Sequence, residues 1–280
     1  MSGITSRVPY DAYAQVPAVS ITRLKELKRS PQHYRHALTN PRDTGPMRLG
    51  TAAHCAVLEP ERFAREFAVW SRRTSAGAMA PRTGQHWDAF KAQHDGRTII
   101  TEDEYVTAMA MRDAVRGFAP AMRYLETGDP EVTLEWKTPD GRPCKGRVDW
   151  LTSIDGAPVL VGLKTARDCR HFAFGAAAAK LGYPMQWSWY QEGYETISGV
   201  RAKVVEIVVE SAAPHSVAVY HITDDILAYG REEYRALLKI LDECEATNVW
   251  PGPVPGEEIL TLPSWCYEAE DDIGDMDLVA

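Results

Sequence analysis

KGRVDWLTSIDGAPVLVGLKTA, residues 145–166, is the stretch whose reading decides the fold. Asp155-Gly156 is a turn signal between two strand-like runs. The second run, APVLVGLKTA (157–166), is apolar on both faces until Lys164, as expected of a central strand covered on both sides. Upstream, EVTLEWK (131–137) alternates, with Val132, Leu134 and Trp136 on one face and Glu131, Thr133 and Glu135 on the other. PDGR (139–142) is a hairpin signal joining it to CKGRVDWLTSI. Downstream, helical stretches at about 169–181 and 184–199 precede the strands AKVVEIVVE (202–210) and HSVAVYHIT (215–223), and a last helix covers about 224–246. The order from residue 131 is β-β-β-α-α-β-β-α, an α/β core with helices around it.

The first 125 residues read as mainly α. In SITRLKELKRS (20–30), Ile21, Leu24 and Leu27 recur at helical spacing, and Ser30-Pro31 is an N-cap followed by proline at the first helical position of PQHYRHALT. MRLGTAAHCAVLEPERFAREF (47–67) is helical in pattern, SRRTSAGAMAPRT (71–83) reads as an exposed, mobile loop, and Thr101 with Glu104 forms a capping box before a long helix. The expected organisation is a helical N-terminal elaboration (1–125), a core (126–250) and an acidic, loose tail (251–280).

Hydrophobic residues make up 45% of the 280 and charged residues 25%, ordinary globular values that exclude a disordered or fibrous chain. No apolar run approaches the roughly 20 residues needed to span a bilayer, and the first residues carry no apolar signal core, so the cytoplasm is expected. The five cysteines are scattered and never form C-x-x-C, which argues for reduced thiols. The net charge of −8 is uneven, because residues 251–280 hold eight acids and no Lys or Arg, leaving the body neutral. Residues 1–50 hold eight bases against three acids, which suits an anionic ligand, with a solvated helix face as the alternative. Lys25, Lys28 and Arg29 are the cations of that helix expected to meet such a ligand.

No phosphate loop, dinucleotide glycine motif, H-E-x-x-H or G-x-S-x-G is present. The informative residues are polar ones in apolar strands. A lysine in a central strand is costly unless its ammonium meets an anion, and Asp149 on the neighbouring strand can supply one, as a structural ion pair or as part of a site. Gln186 and Tyr190, four apart, share a helix face, and His54 is a lone helical histidine that by itself reads first as a satisfied core residue.

Taken in order, L-G-T-A-A-H, E-V-T-L, K-G-R-V-D-W-L, V-G-L-K-T-A and Q-x-x-x-Y resemble the PD-(D/E)xK nuclease superfamily, in particular its exonuclease VIII (RecE-like) and RecB-type branch of phages and prophages. SITRLKELKRSPQHY resembles the opening of such proteins. The resemblance, over about residues 18–222, implies a restriction-endonuclease-like core and a Mg²⁺- or Mn²⁺-dependent exodeoxyribonuclease acting on double-stranded DNA ends, 5′ to 3′. It further implies a homo-oligomeric ring around the duplex and a single-strand annealing partner of the RecT type. By the same resemblance, Asp149 would be the principal metal ligand, the Leu163 carbonyl a second and His54 a further one. Lys164 would orient the attacking water, Glu131, with Glu135 as its competitor, would be the acid on the preceding strand, and Gln186 and Tyr190 would hold phosphates or the lysine. No iron–sulfur cluster is expected from the cysteine spacing.

One position departs from the pattern. The family sets Asp or Glu two residues before the lysine, and here that position is Gly162, on the face of the strand that also carries Lys164. Three explanations compete: a codon change that inactivated a nuclease, another acid such as Glu131, Glu135 or Asp168 filling the gap, or a chain that only binds DNA ends.

Overall fold

The structure, a computed structural model, describes residues 3–40, 45–254 and 256–264. The chain runs β1 (Gly3–Thr5), α1 (Tyr10–Gln15), β2 (Val19–Ser20), α2 (Ile21–Leu24), a 3-10 turn (Lys25–Lys28), α3 (Pro31–Thr39), α4 (Gly45–Leu58) and α5 (Pro60–Glu66). Next come β3 (Phe67–Trp70), α6 (Gln85–Gln93), β4 (Thr98–Thr101), α7 (Glu102–Gly117) and α8 (Ala119–Leu125). The core follows as β5 (Asp129–Lys137), β6 (Pro143–Ile154), β7 (Ala157–Ala166), α9 (His171–Leu181), α10 (Tyr183–Ser198), β8 (Lys203–Glu210), β9 (Val217–His221) and α11 (Asp224–Thr247).

The seven-stranded sheet has the order β1-β5-β6-β7-β8-β9, with β2 pairing with β6. β5, β6 and β7 form an antiparallel meander and β8 joins β7 in parallel after the α9–α10 crossover. Both faces are covered, which explains the apolar runs of β7 and β8. Ala53 and Val57 of α4 and Met111 and Val115 of α7 pack on Val159, Val161, Leu163, Val205 and Ile207. On the opposite face Met185 and Trp189 of α10 and Tyr234 and Leu241 of α11 cover Val132, Leu134, Trp136 and Leu160. Trp189 lies edge-on to both Trp136 and Tyr234, with ring centroids 5.1 and 5.2 Å apart, contacts worth about 0.5–1.5 kcal/mol each beyond the area they bury.

The capping box at Thr101 and Glu104 and the Ser30 cap, which accepts from the His33 N–H, both form. The 20–30 helix is instead a single α turn followed by a 3-10 turn. Its apolar residues recur every third position, the period of a 3-10 helix, so Ile21, Leu24 and Leu27 are all still buried. The N-terminal part is also less purely helical than its sequence suggests. β3 and β4 pair in parallel as a separate two-stranded sheet, and β1 and β2 join the main sheet. Residues 71–83 are indeed outside regular elements and largely exposed, held by the Trp70 indole donating to the Ala80 carbonyl at 3.0 Å. The end of the tail, residues 265–280, lies outside the described residues, as does Cys266. Among the described residues no helix is long and apolar enough to cross a membrane.

Lys145 ties the N-terminal segment to the sheet. Its buried ammonium donates to the carbonyls of Tyr13, Ala14 and Val16 at 2.8, 3.1 and 2.8 Å. Lys145→Met should therefore loosen residues 10–20 by about 3 kcal/mol, the worth of one or two charge-assisted hydrogen bonds. Amide exchange there is expected to accelerate about 100-fold by that measure, and unchanged exchange would show that strand pairing alone holds the segment.

Candidate active site

The site forms where the sheet forks. The β6–β7 ladder runs from Ile154↔Ala157 to Trp150↔Val161, and beyond that pair the two strands part. Asp149 is the first β6 residue past the fork, and its Oδ2 accepts from the Leu163 backbone N–H at 2.8 Å. The same oxygen lies 3.3 Å from Lys164 Nζ and 4.0 Å from His54 Nδ1. Lys164 Nζ also donates to the Leu163 carbonyl at 3.3 Å. α4 brings His54 in because Ala53 and Val57 dock it on the sheet. Thus a helix, two strands and a backbone carbonyl meet within a few ångströms.

The electrostatics separate the roles. Burial opposes the charge on Asp149, but Lys164, His54 and the Leu163 N–H outweigh it and hold the carboxyl below its ordinary value. Burial likewise opposes the Lys164 charge, and the surrounding carboxylates reverse it, so the ammonium stays charged. Burial lowers His54 below its ordinary value against the pull of Asp149, which leaves a neutral imidazole with a lone pair to offer. Gln186 Nε2 donates to the Tyr190 hydroxyl at 3.0 Å, and both side chains line one pocket with Asp149, Gly162 and Lys164. Burial pushes Tyr190 up to about 12, so it remains a neutral hydroxyl.

The PDDEXK-like domain of unknown function (DUF3799) matches residues 20–259. The chain belongs to this family. Its α/β fold is that of the PD-(D/E)xK superfamily, and a crystal structure of a "Putative exonuclease" from Eubacterium rectale shares it. That structure has a TM-score of 0.61 and 13% identity, over 96% of this chain and 100% of that one, a likeness of fold alone. SSO0001 (TM-score 0.31, 13% identity, 77% of this chain and 85% of that one) is more remote and carries no argument. The same holds for VC1899 from Vibrio cholerae (TM-score 0.23, 11% identity, 81% and 57%). No curated protein matches the chain.

Within this DUF3799 domain the other expected residues divide. Glu131 lies between paired Pro130 and Val132, facing the Asp149 position across the β5–β6 ladder, and is bound to Arg147 Nε. Burial is the chief influence that raises it to about 7. Glu135 is opposite Lys145, four residues or roughly 13 Å along the strand. Asp168 is engaged by Arg170 at 2.6 Å. None of these three acids is paired with Lys164. The three cations expected on one DNA-contacting helix also part company. Lys28 is paired with Glu233 at 2.8 Å and Arg29 with Glu26 at 3.3 Å, while Lys25 turns inward over the Tyr183 ring, 5.4 Å from its centroid. Lys164 Nζ lies 5.6 Å from the centroid of the same ring. Burial, followed by repulsion from Lys164, lowers Lys25 to about 7.

The residue that sequence reasoning missed is Glu206, completely buried on β8. Its Oε1 lies 3.7 Å from Lys164 Nζ, and its Oε2 accepts from the Trp187 indole N–H. Burial, against the attraction of Lys164, raises its carboxyl to about 7. The available signal was the one that exposed Lys164, a charge in the middle of an apolar strand, KVVEIVVE.

Superfamily nucleases generally use a divalent metal, and the donors at the fork fit one. Asp149, Glu206 and the Leu163 carbonyl are hard oxygens and His54 adds a neutral nitrogen. Glu206 Oε1 is buried without a hydrogen-bond partner. Among the described residues no three His, Cys, Asp or Glu side chains come together as a group that could hold a metal ion, so a metal here would rest on Asp149 and Glu206 with the Leu163 carbonyl and water. Gly162 offers no side-chain donor.

Proposed function

We propose that this chain is a Mg²⁺- or Mn²⁺-dependent exodeoxyribonuclease that digests double-stranded DNA from its ends, 5′ to 3′, in phage-type recombination. The observation that carries the reading is the meeting of Asp149, Lys164, His54 and the Leu163 carbonyl at the fork between β6 and β7. Family membership and the named exonuclease neighbour support a nuclease. Asp149, the Leu163 carbonyl and His54 would hold the metal, which when bound polarises the phosphate and acidifies a coordinated water. Lys164 brings a fixed positive charge to the negative charge that develops at phosphorus, where a preorganised donor is most effective. The Gln186–Tyr190 pair steers the phosphate, and Lys25 and Lys164 both approach the Tyr183 ring beside it. A homo-oligomeric ring and a RecT-type annealing partner complete the proposal, and an acidic tail outside such a ring is compatible with a basic lumen.

The test compares end-labelled linear duplex with covalently closed circles of the same sequence in Mg²⁺. Progressive shortening of the linear duplex alone, abolished by EDTA, is expected. Binding of ends with no shortening under any divalent metal would make the chain a DNA-end-binding module of the same fold.

A further inference from the structure

We propose that Glu206 is the acidic metal ligand of this chain, supplied from β8 in place of the carboxylate that the family pattern sets two residues before Lys164. The parallel register pairs Gly162 with Glu206. Paired residues of adjacent parallel strands point to the same face about 4.8 Å apart, so a carboxylate at 206 reaches the space that one at 162 would use. The two positions exclude each other, because a Cβ added at Gly162 would lie 2.4 and 2.5 Å from the two carboxylate oxygens of Glu206. That carboxylate ends a flexible side chain, but the Trp187 indole holds it and α10 closes over it. Glycine at 162 is therefore the residue that Glu206 requires, and the gap in the motif and the buried glutamate are one exchange.

A purely structural glutamate accounts for less. Asp149 already pairs with Lys164 at 3.3 Å, so the lysine has a counter-ion without Glu206. Glu206 is completely buried between Val205 and Ile207, and its Oε1 has no close hydrogen bond, only the ammonium at 3.7 Å that Asp149 already holds at 3.3 Å, a costly arrangement for a carboxylate unless a further cation completes it. The inference rests on the metal-dependent nuclease reading, and its first readout is metal binding without DNA.

The experiment titrates Mn²⁺ calorimetrically into the full chain and into Glu206→Gln, Glu206→Ala, Gly162→Asp and Gly162→Asp/Glu206→Ala. Melting in EDTA verifies folding, and digestion of end-labelled duplex in Mg²⁺ is the second readout. Glu206→Gln, nearly isosteric, should weaken Mn²⁺ binding at least about tenfold, as should Glu206→Ala. Gly162→Asp alone should gain nothing and melt earlier, because two carboxylates then share one space. The double variant should recover most of the Mn²⁺ affinity lost in Glu206→Ala, since it moves the carboxylate back to β7. Wild-type Mn²⁺ affinity in Glu206→Gln, or a Gly162→Asp chain that binds and cuts better than wild type, would overturn the proposal. If the chain cuts no DNA yet Mn²⁺ affinity follows the exchange, the ligand assignment stands and the nuclease reading falls. If digestion is robust and Glu206→Gln leaves it and Mn²⁺ affinity unchanged, the nuclease reading stands and the assignment falls.

Discussion

Lys164→Met is expected to lower the rate of duplex digestion by about 10²–10³-fold, the loss typical of removing one preorganised donor from a charge-stabilising site. Methionine matches the four-atom apolar stem of lysine and lacks only the ammonium, so no large void opens and the loss reports the charge. The same variant should lose folding stability, because it leaves Asp149 and the fully buried Glu206 facing each other without the ammonium they share at 3.3 and 3.7 Å. Removing one partner from a buried ionic group typically costs about 3–5 kcal/mol. Urea denaturation in EDTA measures that loss, and Mn²⁺ should return part of it by binding only the folded chain. Digestion at the wild-type rate would remove Lys164 from the chemistry, and unchanged stability in EDTA would show that the two carboxylates do not depend on the ammonium in the folded chain.

Gly230→Ala should destabilise the protein although it replaces glycine by the best helix former. In an open helix the exchange gains about 1 kcal/mol. At position 230 of α11 the new methyl would lie 2.1 Å from the Pro184 carbonyl oxygen and 2.4 Å from Ser188 Oγ of α10. Both neighbours belong to a buried helix start with no freedom to retreat, so overpacking of about 2–3 kcal/mol or more should prevail. A melting temperature lower by about 3–5 °C follows for a chain of this size. Gly175→Ala in α9 is the control of opposite sign, since its Cβ would meet nothing within 4 Å and should stabilise by about 0.5–1 kcal/mol. Calorimetry of the two variants beside the wild type decides the pair, and a Gly230→Ala chain as stable as Gly175→Ala would mean that α10 and α11 can part without cost. Digestion should fall with the Gly230 variant as well, because α10 carries Gln186 and Tyr190 into the pocket.

Much of this architecture is legible in order along the chain because it depends on local periodicity. Alternation in 131–137, the Asp155-Gly156 turn and the doubly apolar 157–166 mark the meander, and the structure has it there as β5, β6 and β7. Capping chemistry at Ser30 and Thr101 marks two helix starts for the same local reason. The short strands β3 and β4 escaped because four-residue runs flanked by helical pattern carry too little signal. A three-residue period was read as α where the chain makes a 3-10 turn.

The sequence by itself determined the identities and spacing of Asp149, Lys164 and the Gln186–Tyr190 pair, and it exposed Gly162 as a missing carboxylate. It could not say what stands in that gap, because the answer lies 44 positions along the chain from Gly162, at Glu206, and depends on strand register. A parallel pair joined by two helices has its register set by how the crossover packs, not by any local pattern. The same holds for Lys25, whose charge suggested an outer DNA-binding face and whose place over Tyr183 was decided by the way α2 and the 3-10 turn dock on α10.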